Sequence, residues 1–447
     1  MCIYRKTKYQ SSTGWTLIVN GNSMIKNQTR RKLLGNVVSL YALLGLNYLI
    51  PLAILPYLIR VLGVEHYGLI AFAQALAQYF TIVANYGFDF SATKRLTLIR
   101  SDRTRVSSLF WTVLLTKVLL MFSGMVLLTA MVYGIPRFQS EKHIYFIAYI
   151  AVIGNALFPA WFFQGMEKMK FISVISGVSR LAAAASLFIF VHARADFAVA
   201  LLILSLGTLL SGISGLYVAI ANFNILPYRP SIQDVASVLR DGWHLFVSTA
   251  SISLYTNTNV LLVGLLAGNV EAGYFSVAEK LVRAMSGLIS PVSQAIFPHL
   301  SALVSTSKEL AIRFIRKSLL LIGLPSLLAS TVLLICARPI THLAFGHTVM
   351  PVIVVIRWIS MLPFVIAISN VLGIQTMVTF GMDKQFSRLL LASGMLNLLL
   401  AIPLVHAFGA KGASMSLLAT EIFVTASMWF VLHRNRIYIM PWKGGLA

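Results

Sequence analysis

Apolar stretches recur from residue 33 to residue 432, near 33–58, 67–93, 106–133, 143–163, 171–192, 197–221, 243–267, 275–300, 317–337, 349–376, 387–406 and 412–432. Each holds about 20 residues or more, which as an α-helix at 1.5 Å per residue crosses a hydrocarbon core about 30 Å thick. The pattern predicts an all-α polytopic membrane protein with about 12 transmembrane helices. Between the spans the polar segments are short, and those on the predicted outer face leave no room for a soluble catalytic domain.

The pattern also repeats. Gly165-Met166-Glu167-Lys168 returns as Gly381-Met382-Asp383-Lys384, with Asn155, Phe171 and Val191-His192-Ala193 matching Asn370, Phe386 and Val405-His406-Ala407. An earlier pair, Gly63-x-Glu65-x-x-Gly68 and Gly268-x-x-Glu271-x-Gly273, stands at a slightly shorter offset, as one loop or helix of different length would give. A duplicated unit of about 200 residues follows. An even number of spans per copy makes the two copies parallel repeats, an arrangement used by transporters. The expected organisation is an N-tail over 1–32, a six-helix bundle over 33–221, a cytoplasmic linker carrying Pro227 and Pro230 over 222–242, a second bundle over 243–432 and a C-tail over 433–447.

Composition agrees with a lipid solvent: 58% of residues are hydrophobic and 11% charged, too little polar surface to cover a water-soluble globule. The net charge of +23 would suit nucleic acid if it lay on a soluble face. Its distribution says otherwise. Of the 36 Lys and Arg, 25 fall in the two tails and alternate loops and six on the opposite face, at Arg60, Arg137, Lys142, Arg194, Arg338 and Lys411. The positive-inside bias therefore places both termini in the cytoplasm and accounts for the charge without nucleic acid. Cys2 and Cys336 lie at opposite ends of this topology, so no disulfide framework is expected. The only apolar run before residue 33, Trp15 to Val19, is too short for a signal-peptide core. Met24-Ile25-Lys26-Asn27 reads as the start of a membrane protein, and residues 1–23 are expected to precede the native start.

Five cations remain inside the spans: Lys117, Arg180, Lys280, Arg283 and Arg357. Counted from the span ends, Lys117 and Arg180 lie about 16 and 13 Å from the cytoplasmic side, and Arg283 and Arg357 about 12 Å from the outer side. Each costs about 2.5–3.5 kcal/mol or more at the bilayer centre if unpaired. A basic midplane implies an anionic substrate, for which guanidinium is suited by its bidentate fork and permanent charge. The plainer alternative is that the cations snorkel or pair structurally. Glu279 and Arg283, four residues apart on a helix, neutralise each other in that alternative, leaving Lys280 and Arg357 as the better anion ligands. Glu421, about nine residues into the last span, is a candidate for a coupling proton or cation, or for a packing hydrogen bond. Asp89, just before Lys94 and Arg95 at the cytoplasmic mouth, is either a gate ion pair or a helix cap. Asn47, Gln74, Asn85, Asn257 and Asn259 are either sugar contacts or glue between helices. Pro51, Pro56 and Pro291 predict kinks. No phosphate-binding G-x-x-x-x-G-K-[ST], zinc H-E-x-x-H, nucleophile-elbow G-x-S-x-G or Cys/His metal spacing is present, so neither ATP hydrolysis nor a resident metal or cofactor is expected.

Several segments resemble the Wzx-type O-antigen flippases, in the polysaccharide transport branch of the multidrug/oligosaccharidyl-lipid/polysaccharide (MOP) exporter superfamily. They are Arg60 to Gly68, Asn85-Tyr86-Gly87-Phe88 with Ser91-Ala92-Thr93, Pro159 to Lys170, Ala272 to Lys280, Asn370 to Gln375, and Leu418-Ala419-Thr420-Glu421. The resemblance runs from Met24 to about residue 435. It implies that the protein moves an undecaprenyl-pyrophosphate-linked oligosaccharide from the cytoplasmic to the periplasmic leaflet of a bacterial inner membrane. It implies two bundles opening alternately around a cationic lumen, with an O-antigen polymerase and a chain-length regulator as partners. The rival expectations are another exporter of the superfamily, for drugs by cation antiport or for a different lipid-linked precursor, and a membrane enzyme such as an O-antigen polymerase. The enzyme would need a large loop with catalytic residues, and no catalytic residue is expected here.

Overall fold

The computed structural model describes the backbone of residues 14–347 and 349–439, with side chains from residue 49 onward except at scattered positions within 248–255 and 288–305. Residues 1–13 of the tail expected over 1–32, residues 440–447 of the tail expected over 433–447, and the side chains of Asn47 and Pro291 lie outside the described residues. All regular structure in the described residues is helical. The first half holds α1 (Gly14–Asn85), α2 (Phe88–Ile99), α3 (Arg103–Gly134), α4 (Pro136–Gln139), α5 (Lys142–Leu157), α6 (Ala160–Gly165), α7 (Lys170–Phe190) and α8 (Phe197–Phe223). The second holds α9 (Ile232–Thr256), α10 (Thr258–Leu266), α11 (Asn269–Thr306), α12 (Lys308–Ile335) and α13 (Ala337–Phe345). It continues through α14 (Met350–Ile359), α15 (Leu362–Asn370), a π-helical stretch Val371–Val378 and α16 (Asp383–Arg434).

Eight stretches of the described residues are long and apolar enough to span a membrane, and two of them, Leu49–Ile99 and Asp383–Arg434, hold 51 and 52 residues. At about 20 residues per crossing each of these is two spans, broken at Gly63 and Gly409 where the backbone leaves the helical region. With α9–α10 and α11 the passes come to the expected twelve, six per half. Gly63 (φ 80°, ψ 163°) and Gly268 (φ 93°, ψ 177°) open the two copies of the glycine–glutamate motif with nearly the same backbone, a left-handed φ that residues with a Cβ rarely adopt.

The connection expected over 222–242 is shorter in the structure, because helix resumes at Ile232. Pro230 has no N–H to donate and disfavours helix in the residue before it, and Ser231 caps the helix that follows. Its hydroxyl accepts from the Asp234 amide at 3.2 Å, and the Asp234 carboxylate accepts from the Ser231 amide at 2.9 Å, a capping box that satisfies two otherwise orphaned donors. The bond from the Ser231 amide, then those from the Ser231 and Tyr228 hydroxyls, hold the Asp234 carboxyl below its ordinary 3.8. A carboxyl lowered by folding stabilises above its unfolded pKa and loses that contribution as pH falls through the folded value. Protection of the amides over residues 231–235, taken relative to intrinsic exchange at each pH, is therefore expected to be flat from pH 7 to 5 and to fall below about pH 4, with the acid effect absent in Asp234→Asn.

In lipid, burying an apolar side chain gains no hydrophobic free energy over facing the acyl chains, so close packing decides which helices meet. The largest apolar cluster spans both halves, joining Leu62, Tyr67 and Phe72 of α1 to Phe275 and Val277 of α11 and Val352 of α14. Two further clusters sit toward the other end. One is built on Phe110, Trp161 and Phe162 of the first half, the other on Leu300, Ile315 and Met428 of the second.

Candidate functional site

A cavity of about 440 Å³ opens within the first half, walled by α1, α5, α7 and α8 and completed by Lys280 from α11 of the second half. Helical periodicity builds its polar wall. On α7, Ser176, Ser179, Arg180, Ala183 and Ala184 recur every three or four residues, as do Leu204, Thr208 and Ser211 on α8, so each helix shows one stripe to the cavity. On α1, Tyr67 and Gln74 are two turns apart and share a face with the wall. Ile54, Leu55, Leu58 and Phe158 supply an apolar side. Lys280 reaches across the halves: its Nζ donates to the Tyr67 hydroxyl at 2.5 Å, with Tyr67 1% exposed.

Asn155 joins this wall through a break in α5. Pro159 has no N–H, so the Asn155 carbonyl four residues earlier loses its helical donor. Lys117 Nζ stands in, 3.4 Å from that carbonyl and 3.5 Å from the carbonyl of Phe158. Lys117 is 2% exposed and does not line the cavity. Lys117→Met is expected to lower stability by about 1–3 kcal/mol, because the Asn155 carbonyl loses its donor while the Phe158 carbonyl keeps the Ala160 amide. The check is thermal unfolding in detergent.

A second cavity of about 310 Å³ lies in the second half and gathers Glu279, Arg283 and Glu421 with Thr256 and Ser286. Arg283 donates to Glu279 Oε1 at 2.8 Å, to the Thr256 carbonyl at 2.6 Å and to Asn257 Oδ1 at 3.2 Å. Its charge is thus held by α11 and by the open end of α9. Glu421 is 8% exposed, and among the described residues its carboxylate has no hydrogen bond or ion pair. The Ser286 hydroxyl is buried without a partner as well. Neighbours on α11 face different cavities, Glu279 this one and Lys280 the other.

The remaining sequence candidates are scattered. Arg357 is exposed on α14 and lines neither cavity. Asn259 is 1% exposed, with neither side-chain atom hydrogen-bonded among the described residues, and also lines neither. Asn85 is partly buried at the end of α1, its Oδ1 without a partner among the described residues. Asp89 sits in the first turn of α2 without capping it through its side chain, and Lys94 is exposed beyond it. The ion pair between halves at this end is Arg95 with Asp241 at 3.4 Å, beside a stack of Tyr86 on Phe246 with centroids 4.6 Å apart. Tyr67, Ser176, Ser179, Thr208 and Ser211 were not singled out from the sequence. Small polar residues at helical spacing in otherwise apolar spans were the signal available. Among the described residues no cluster of His, Cys, Asp and Glu could hold a metal ion.

Comparison with known proteins places this architecture. Residues 33–304 match the family described as polysaccharide biosynthesis protein. A proposed O-antigen transporter of Escherichia coli (strain K12) is 36% identical over 413 residues, 92% of this chain and all of its own length. Among solved structures, an inward-facing multidrug resistance MATE family transporter of the MOP superfamily superposes with a TM-score of 0.64 at 14% identity, covering 87% of this chain and 98% of its own. The lipid II flippase MurJ in an inward closed conformation gives 0.61 at 14% identity, covering 90% and 87%. At such identities the two structures speak for the fold alone, and the family rests on the sequence match. This polytopic helical chain, a membrane transporter rather than an enzyme, belongs to the polysaccharide biosynthesis protein family.

Proposed function

We propose that the chain flips undecaprenyl-pyrophosphate-linked O-antigen or polysaccharide repeat units from the cytoplasmic to the periplasmic leaflet of a bacterial inner membrane, by alternating access between its two halves. The observation that carries this reading is the convergence of Arg180 and Lys280, from different halves, on one cavity lined by Gln74, Asn155, Ser176, Ser179, Thr208 and Ser211. Two cations suit a pyrophosphate, and the two amides and the hydroxyls suit the first sugar. A cavity of this size falls short of a whole repeat unit, so the anchor is the pyrophosphate and adjoining sugar while the lipid tail stays in the bilayer. Outward movement of negative charge is favoured by about 2.3 kcal/mol per charge per 100 mV of inside-negative potential. The second cavity supplies the coupling step. With Glu279 matched by Arg283, the Glu421 carboxylate of α16 is the group left to take up a proton or sodium ion, in the cavity that Glu279, the residue before Lys280 on α11, also lines.

A second reading, export of a small cation by antiport, draws on that same acidic cavity. Proteoliposomes loaded with a fluorescent lipid-linked oligosaccharide test both. Potential-dependent movement of the oligosaccharide to the opposite leaflet supports the flippase. Failure to move it, together with uptake of a cationic dye, supports the antiporter.

A further inference from the structure

At the end assigned to the outer face, the halves meet along a seam built from the repeated glycine motif. A Cβ on Gly68 would sit 1.8 Å from the Asn269 carbonyl oxygen and 2.7 Å from the Gly273 nitrogen, and one on Gly273 would sit 2.4 Å from the Val64 carbonyl oxygen. Two arginines of the first half close over this contact. Arg60 donates to the Leu343 carbonyl, and Arg137 donates to the Gly264 carbonyl at 2.9 Å and to Asn269 Oδ1 at 3.3 Å. Both carbonyls lie in the last turns of helices, α13 and α10, where no helical donor follows and the macrodipole is negative. Tyr67 is the residue before Gly68, and Lys280 is two turns along α11 from Gly273. Their hydrogen bond is therefore the innermost rung of the seam and at the same time part of the cavity wall.

We propose that the Tyr67–Lys280 bond is the contact through which an anion in the cavity releases the outer seam, making Tyr67 a positioning residue for transport. This rests on the reading that Lys280 holds the substrate's pyrophosphate. A phosphate oxygen is a stronger partner for an ammonium than a neutral phenol is. As the ammonium turns to the anion, the Tyr67 hydroxyl is left without a partner in a closely packed place, a cost relieved when α1 and α11 part. The empty transporter stays closed outside because Tyr67 occupies Lys280. The loaded one is released. By linkage, whatever opens the seam must also tighten anion binding.

The test uses the full chain in nanodiscs with Cys2 and Cys336 replaced by serine. Spin labels at Gln139→Cys and His347→Cys, exposed near the outer end on opposite halves, report the seam distance by double electron–electron resonance. Farnesyl pyrophosphate serves as the probe, and its affinity is measured by calorimetry. Wild type is expected to gain a longer-distance population on adding the probe. Tyr67→Phe, which keeps the ring and its packing, is expected to show that population without the probe and to bind it about tenfold more tightly, the gain from no longer breaking one hydrogen bond. Lys280→Met is expected to open likewise and to lose binding. If Tyr67→Phe keeps the wild-type distances and affinity while Lys280→Met loses binding, the site stands and the switch is overturned. If Lys280→Met binds the probe like wild type, the site reading fails and the switch fails with it.

Discussion

Arg180→Ala is expected to slow flipping of the lipid-linked oligosaccharide in proteoliposomes about ten- to a hundredfold, with Lys280→Ala close behind and the double variant at background. A hydrogen bond to a charged partner contributes about 1.5–3 kcal/mol, and each 1.36 kcal/mol of a barrier is a factor of ten in rate. Both cations face one cavity across the two halves, so each holds the anion while the halves rearrange, and loss of either leaves the other to act alone. Arg180→Lys is expected to fall between, since it keeps the charge and loses the fork. Arg357→Ala is expected to cost less than Arg180→Ala because its side chain lies outside both cavities. Equal losses at the two positions would mean that the anion path runs along α14 and would overturn the assignment.

Gly68→Ala is expected to lower the unfolding midpoint and to hold the outer seam apart. The added methyl meets the Asn269 carbonyl oxygen at 1.8 Å and the Gly273 nitrogen at 2.7 Å. Both are backbone atoms with no rotamer to move into, so α1 and α11 must separate, at a cost of about 1–3 kcal/mol or more. Gly134→Ala is the matched control, since a Cβ there has no neighbour within 4 Å. Thermal unfolding in detergent gives the stability effect, and the label pair at Gln139 and His347 gives the seam. An unchanged midpoint in Gly68→Ala would show that the two helices do not meet this closely.

Some of this was legible in the chain and some was not. The spans were, because in a membrane each crossing must be a helix of fixed minimum length, a rule that leaves its mark as a run of apolar residues. The two copies of the glycine motif were also visible. That they pack on each other was not, since a motif names a backbone shape and not the surface it meets. Lys117 and Arg180 looked alike as charges at mid-span. The structure separates them: a proline 42 positions along the chain from Lys117 orphans the Asn155 carbonyl that takes the lysine, while the stripe on α7 turns Arg180 to the cavity. Glu279 and Lys280 are adjacent in sequence and serve different cavities, because successive helical residues point about 100° apart.

The sequence by itself determined the solvent, the number of spans, the duplication and the surplus of positive charge within the membrane, all of them set by composition and by periods of a few residues. Only the tertiary structure decided which cations share a cavity, which carboxylate lacks a partner among the described residues and where the halves touch. Those depend on contacts between residues as far apart as Tyr67 and Lys280, where apolar surfaces carry no register of their own in lipid and close packing alone chooses the neighbour.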